Sequence, residues 1–107
     1  MRRIDSKQLF QLLDQKKPRV LLVYFTESGC PPCTRMAPVA QALAQEFAAR
    51  LTTVELNPED DYHDMSRRWG LSTVPAFALC KEGQPRAFNR SPRSQPEIRS
   101  WIEAGLA

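Results

Sequence analysis

"ESGCPPCTRMAP", residues Glu27–Pro38, sets two cysteines on either side of two prolines, directly behind the apolar run "VLLVYF" (Val20–Phe25). Cys30 and Cys33 admit three readings: a structural staple, half of a metal site, or a disulfide made to be broken. The staple is weak, because closing so short a loop removes little entropy from the unfolded chain. The odd total of three cysteines also does not suit a disulfide framework. A metal site needs four ligands, and the chain reaches that number only by adding Cys80 and His63 to the pair. Zinc sites favour a second closely spaced pair, whereas Cys80 and His63 stand on different elements. The reading therefore turns on what flanks the cysteines.

Upstream, "RVLLVYF" is continuous and apolar over a strand length, as expected of a strand covered on both faces. Downstream, Met36, Val39, Leu43 and Phe47 recur at helical spacing between Thr34 and Ala49, with Pro38 inside the helix as a source of a kink. A first helix, capped by Asp5 or Ser6, carries Leu9, Phe10, Leu12 and Leu13 and stops at Lys16-Lys17-Pro18. "LTTVEL" (Leu51–Leu56) is a β-branched strand. In "NPEDDYHDMSRRWG", Tyr62, Met65 and Trp69 predict a short helix ending at Gly70. "PAFALC" and "RAFN" predict a hairpin turned at Glu82-Gly83, and Ser94–Glu97 spells a capping box before a helix burying Ile98, Trp101, Ile102 and Leu106. The predicted order is helix, strand, helix, strand, helix, hairpin, helix. That order gives a single α/β domain over residues 1–107, with a central mixed β-sheet flanked by helices on both faces. In such sheets, sites gather beyond the carboxyl ends of the strands, where the cysteines lie.

The totals agree with a small globular domain. The 107 residues are 42% apolar and 25% charged, which is ordinary for such a chain. The net charge of +3 rests on arginines that are scattered rather than gathered into a stripe, so no nucleic-acid partner is expected. "VLLVYF" is too short to span a membrane, and "MRRIDSKQLFQ" lacks the apolar run of a secretory signal. The expectation is a cytoplasmic protein, where thiols stay reduced and cysteines are seldom staples.

A helix beginning just after Cys30 puts its sulfur at the positive end of the helix dipole, where a thiolate is stabilised. Cys33 follows one turn later, within bonding range. Cys30, nearer the exposed end, is the expected nucleophile, and Cys33 the expected resolving thiol. Pro31 suits the first helical position because its missing N–H loses no bond there. With Pro32 it deletes two donors that would otherwise face the thiolate, leaving the Cys33 N–H as the nearest one. A C-x-x-C behind a strand in an α/β pattern is a fairly specific redox signal.

These residues resemble the thioredoxin family over nearly the whole chain: "VLLVYF" into Cys30-Pro31-Pro32-Cys33, Pro38 five residues on, "LTTVELN", "WGLSTVPAF" and "KEG". The resemblance implies a thioredoxin-like fold and protein-disulfide oxidoreductase activity. Its only redox group would be the Cys30–Cys33 disulfide, with no metal or added cofactor. It also implies a cis peptide at Val74-Pro75, with the Val74 backbone pairing with an extended substrate segment. Expected partners are proteins bearing disulfides and a reductant, either thioredoxin-reductase-like or a low-molecular-weight thiol; the chain itself is expected to be a monomer. Rival readings are a non-enzymatic thioredoxin-fold interaction or chaperone-like module and a glutathione-dependent, glutaredoxin-like enzyme.

The departures from the family are local. Gly29 stands where a tryptophan is usual, Pro31 where the dipeptide usually begins with glycine, Tyr24 at the place of a buried aspartate, and Glu55 at that of a lysine. A glycine usual in the loop after the last strand is missing from "NRSPRS" (Asn89–Ser94). Glu55 invites a proton-relay role toward Cys33; its alternatives are pointing to solvent or pairing with an arginine. Tyr24 is expected to pack rather than to move protons. Arg35 either holds the Cys30 thiolate or is solvated, and Cys80 is expected to be a buried, inert thiol.

Overall fold

Val20–Phe25 forms the middle of the sheet, and its unbroken apolar run serves two cores at once. Side chains alternate across a strand, so Leu21, Val23 and Phe25 face one cluster while Leu22 and Tyr24 face the other. All five are at most 1% exposed. The computed structural model describes residues 1–57 and 67–107. Its strands are β1 (Arg2–Ile4), β2 (Val20–Phe25), β3 (Thr52–Leu56), β4 (Ala76–Lys81) and β5 (Gln84–Asn89). Its long helices are α1 (Ser6–Gln15), α2 (Pro31–Glu46) and α3 (Gln95–Leu106). The sheet order is β1-β3-β2-β4-β5. β1, β3 and β2 run parallel, whereas β4 is antiparallel to both β2 and β5.

One core packs α1, through Leu9 and Leu13, with Trp69 against one sheet face. The other packs Met36, Leu43, Ile98 and Ile102 of α2 and α3 against the opposite face. Each fully buried Leu or Ile contributes roughly 1.5–3 kcal/mol relative to exposure, so the continuity of β2 matters on both sides. Trp69 meets Phe10, Phe25 and Phe88 edge-on at 6.1, 6.0 and 5.6 Å, and Trp101 is half-buried near Phe77.

The predicted order needs one correction: a strand precedes the first helix. "RRI" pairs with Val54–Leu56, yet its three residues leave two side chains exposed and carry no readable alternation. α1 starts as expected, with Asp5 and Gln8 in a reciprocal capping box and Lys16 closing the helix in the left-handed conformation. α2 begins three residues before Thr34 and ends at Glu46, because Phe47 is its cap rather than part of its last turn. The helix continues through Pro38. Of the predicted helix in "NPEDDYHDMSRRWG", residues 67–69 are helical; Tyr62, His63 and Met65 lie outside the described residues. The hairpin and the Ser94 cap are where they were predicted, with Ser94 accepting from the Glu97 N–H.

Candidate active site

The carboxyl end of β2 leads through Thr26–Gly29 into Cys30, the N-cap of α2. Gly29 lies in a turn at φ +70°, a conformation that side chains rarely adopt. Glycine adopts this turn without strain, which the tryptophan usual at this position in the family would not. Pro31 and Pro32 occupy the first two helical positions, whose N–H groups have no intrahelical partner in any case. Cys30 and Cys33 are joined by a disulfide, with Cα atoms 5.2 Å apart. The Cys33 N–H donates to Cys30 Sγ at 3.2 Å, the one donor that the double proline leaves near that sulfur. Cys30 is half-buried and Cys33 is 2% exposed. An incoming thiol or disulfide therefore meets Cys30 first.

Beneath the pair lies Tyr24, fully buried and stacked on Phe77 with ring centroids 5.1 Å apart. Its hydroxyl donates to the Cys33 carbonyl at 3.1 Å, tying β2 to the first turn of α2. Burial pushes the phenol above its ordinary range, and the negative charge of Glu55 adds to this. Tyr24 thus stays protonated and is a fixed structural donor, as the sequence predicts of a packing residue. Glu55 sits opposite Tyr24 on β3 and opposite Arg3 on β1. Glu55, Arg3, Asn57 and Cys33 line one pocket of about 300 Å³ on the inner side of the disulfide. The sequence reading of Glu55 missed Arg3, because β1 itself was missed.

On the other side, the Val74-Pro75 peptide is cis, and both residues line a groove of about 360 Å³ with Pro32, Arg35 and Met36. Arg90 and Arg93 close its far wall. Neither was singled out from the sequence, although two arginines around Pro92 in "NRSPRS" were the available signal. Pro38 is exposed on α2 and does not line this groove. Among the described residues, no group of three or more His, Cys, Asp and Glu side chains is placed to hold a metal ion. No helix among them is long and apolar enough to cross a membrane.

The family model described as Thioredoxin matches residues 3–104. The chain belongs to the thioredoxin family. It is 32% identical over 89 residues to the thioredoxin of Alicyclobacillus acidocaldarius subsp. acidocaldarius, covering 81% of this chain and 82% of that one. To chloroplastic thioredoxin Y of Oryza sativa subsp. japonica it is 28% identical over 83 residues, 75% of this chain. It spans 49% of that protein's length. Its fold is that of a chain in the crystal structure of a complex of ferredoxin:thioredoxin reductase with thioredoxin f2. The TM-score is 0.86 at 15% identity, covering 99% of this chain and 94% of that one. With its two motif cysteines bonded at a helix start, this thioredoxin-family domain is a thiol–disulfide oxidoreductase.

The third thiol stands apart from this chemistry. Cys80 is 1% exposed on β4, and burial pushes its pKa up to about 12. Its folded-state value lies above the 9.0 taken for the free thiol, so burial favours folding fully below pH 9 and loses that advantage as pH rises toward 12. Linkage predicts a loss of about 2 kcal/mol by pH 10.5. Urea titrations at pH 8 and 10.5 check this. Cys80→Ala should be offset at both pH values by a roughly constant cavity cost while shedding most of the pH dependence. An unchanged pH dependence in that variant refutes the assignment.

Proposed function

We propose that the protein reduces disulfides in other proteins, with Cys30 as nucleophile and Cys33 as resolving thiol. In the reduced state, the Cys30 thiolate attacks one sulfur of the client disulfide. A mixed disulfide forms, and the other client sulfur leaves as a thiolate and takes a proton. Cys33 then gives up its proton and attacks Cys30 Sγ, forming the Cys30–Cys33 disulfide and releasing the second client thiol. Two electrons pass to the client. They are restored by a dithiol or thiol reductant, either a thioredoxin-reductase-like protein or a low-molecular-weight thiol. The observation that carries this reading is the asymmetric cysteine pair, one sulfur accessible at the helix start and the other enclosed one turn later. The Val74 backbone beside that pair receives the client as an added strand.

Acceleration of insulin reduction by dithiothreitol tests the activity; a rate equal to that without protein would favour the interaction-module reading. Turnover with glutathione as sole reductant, outpacing dithiol-driven turnover, would favour the glutaredoxin-like one. A redox titration against glutathione tests the direction of flow. A potential near about −270 mV supports a reductant, and one near about −120 mV overturns it.

Glu55 is proposed as the acceptor for the Cys33 proton, because it is the carboxylate of β3 that reaches the pocket behind that thiol. Glu55→Gln should slow the resolution of a preformed mixed disulfide about tenfold. That is less than a sealed base would give, since exposed Ser28 and Thr34 open the same pocket to water. Stopped-flow release of a client thiol measures the step, and an unchanged rate removes Glu55 from it.

A further inference from the structure

The groove beside Pro75 has an apolar floor and a cationic rim. Met36, Val39 and Pro75 supply apolar lining, while Arg35, Arg90 and Arg93 reach it from α2 and from the loop after β5. No carboxylate lines it among the described residues. Three arginines elsewhere on the surface are paired: Arg19 with Glu82, Arg50 with Glu103, and Arg99 with Glu46. None of the three groove arginines takes part in those bridges. Arg90 is moreover held in place. Its guanidinium donates to the Trp69 carbonyl at 3.1 Å and lies 4.7 Å above the Phe88 ring. Both anchors leave its charge uncompensated, since a backbone carbonyl and an aromatic face are neutral.

We propose that this groove selects protein disulfides flanked by acidic residues. The inference rests on the proposed reduction of protein disulfides, and it names the class of client. A client strand laid along Val74 passes between arginines on both walls, rising about 3.3 Å per residue. Carboxylates a few residues from its cysteine then meet cations, while lysines there are repelled. Each exposed charge pair is worth about a factor of two in rate or affinity, so three pairs give a preference of about tenfold. Complementary charge acts mainly on encounter and partner choice.

The test uses three synthetic peptides, each with one intramolecular disulfide flanked on both sides by glutamates, glutamines or lysines. Second-order rate constants for oxidation of the reduced protein are divided by those for dithiothreitol, which removes the peptides' own reactivity differences. At low ionic strength the glutamate peptide should react about tenfold faster than the glutamine peptide, and the lysine peptide more slowly still. The ratio should fall toward one in 1 M salt, where the screening length is about 3 Å. R93Q should roughly halve the ratio, and R93E should lower it further, below what loss of one cation alone would give. Equal rates for all three peptides overturn the charge selection while leaving disulfide reduction intact; no reaction with any peptide overturns disulfide reduction itself. A ratio unmoved by R93E, or glutathione disulfide outpacing the glutamate peptide, also overturns the proposal.

Discussion

Cys33→Ser is expected to stop the reaction halfway, leaving the protein covalently joined to its client through Cys30. Turnover in the insulin assay should fall to background, and when the reduced variant is mixed with an oxidised client in the absence of dithiothreitol, a dithiothreitol-sensitive adduct should accumulate in near-stoichiometric amount. The reason is positional. Cys30 keeps its place at the N-terminus of α2, with the backbone N–H of residue 33 on its sulfur, so the attack survives the substitution. What is lost is the second sulfur, which alone can displace the client thiol from inside the site. Cys30→Ser should reach the same background turnover but with no adduct, because Cys33, 2% exposed, does not meet a folded client. Mass spectrometry of both variants after mixing with an oxidised client separates the two roles. An adduct on Cys30→Ser and none on Cys33→Ser would reverse them.

The cysteine chemistry is legible in the sequence, because both of its determinants are local. A strand must end and a helix begin within a few residues of Cys30, and periodicity reports both. The double proline even predicts which N–H approaches Cys30 Sγ. The surroundings of the pair were less legible, for a different reason in each case. β1 is a three-residue edge strand held by its pairing with β3, and a pattern so short has no period to detect. Its omission hid Arg3 as the neighbour of Glu55 and left that residue's setting half drawn. The groove arginines come from α2 and from a loop about fifty-five residues later, a juxtaposition that only the crossover topology creates. Scattered along the sequence they read as a solvated basic surface, and folded they line one groove. Gly29 is the intermediate case. Its mismatch with the family is visible as a letter, but the backbone angle of +70° that accompanies it is not.

Gly83→Ala should be among the most destabilising single-methyl changes in the protein, at about 2–5 kcal/mol. Glu82 and Gly83 both have positive φ, 54° and 78°, which is the two-residue turn that a right-twisted β4–β5 hairpin favours. Placing alanine in the left-handed region costs about 1–2 kcal/mol by itself. The added Cβ would also fall on the backbone carbonyl oxygen of Leu13 and lie 3.0 Å from Lys16 Cγ. That carbonyl cannot easily yield, since it accepts the Lys16 N–H that closes α1 at 3.1 Å, and Leu13 is itself part of the core. Crowding of this kind adds about 1–3 kcal/mol. Gly29→Ala provides the internal comparison: its φ is +70°, but its Cβ would meet nothing within 4 Å. It should therefore pay the conformational cost alone. Urea titrations of both variants, with the slope checked for constancy, isolate the collision as their difference. Equal losses would mean that the hairpin swings away from α1 without penalty. A larger loss for Gly83→Ala shows instead that the turn is clamped against α1, which holds β4 in register and with it the strand start next to Pro75.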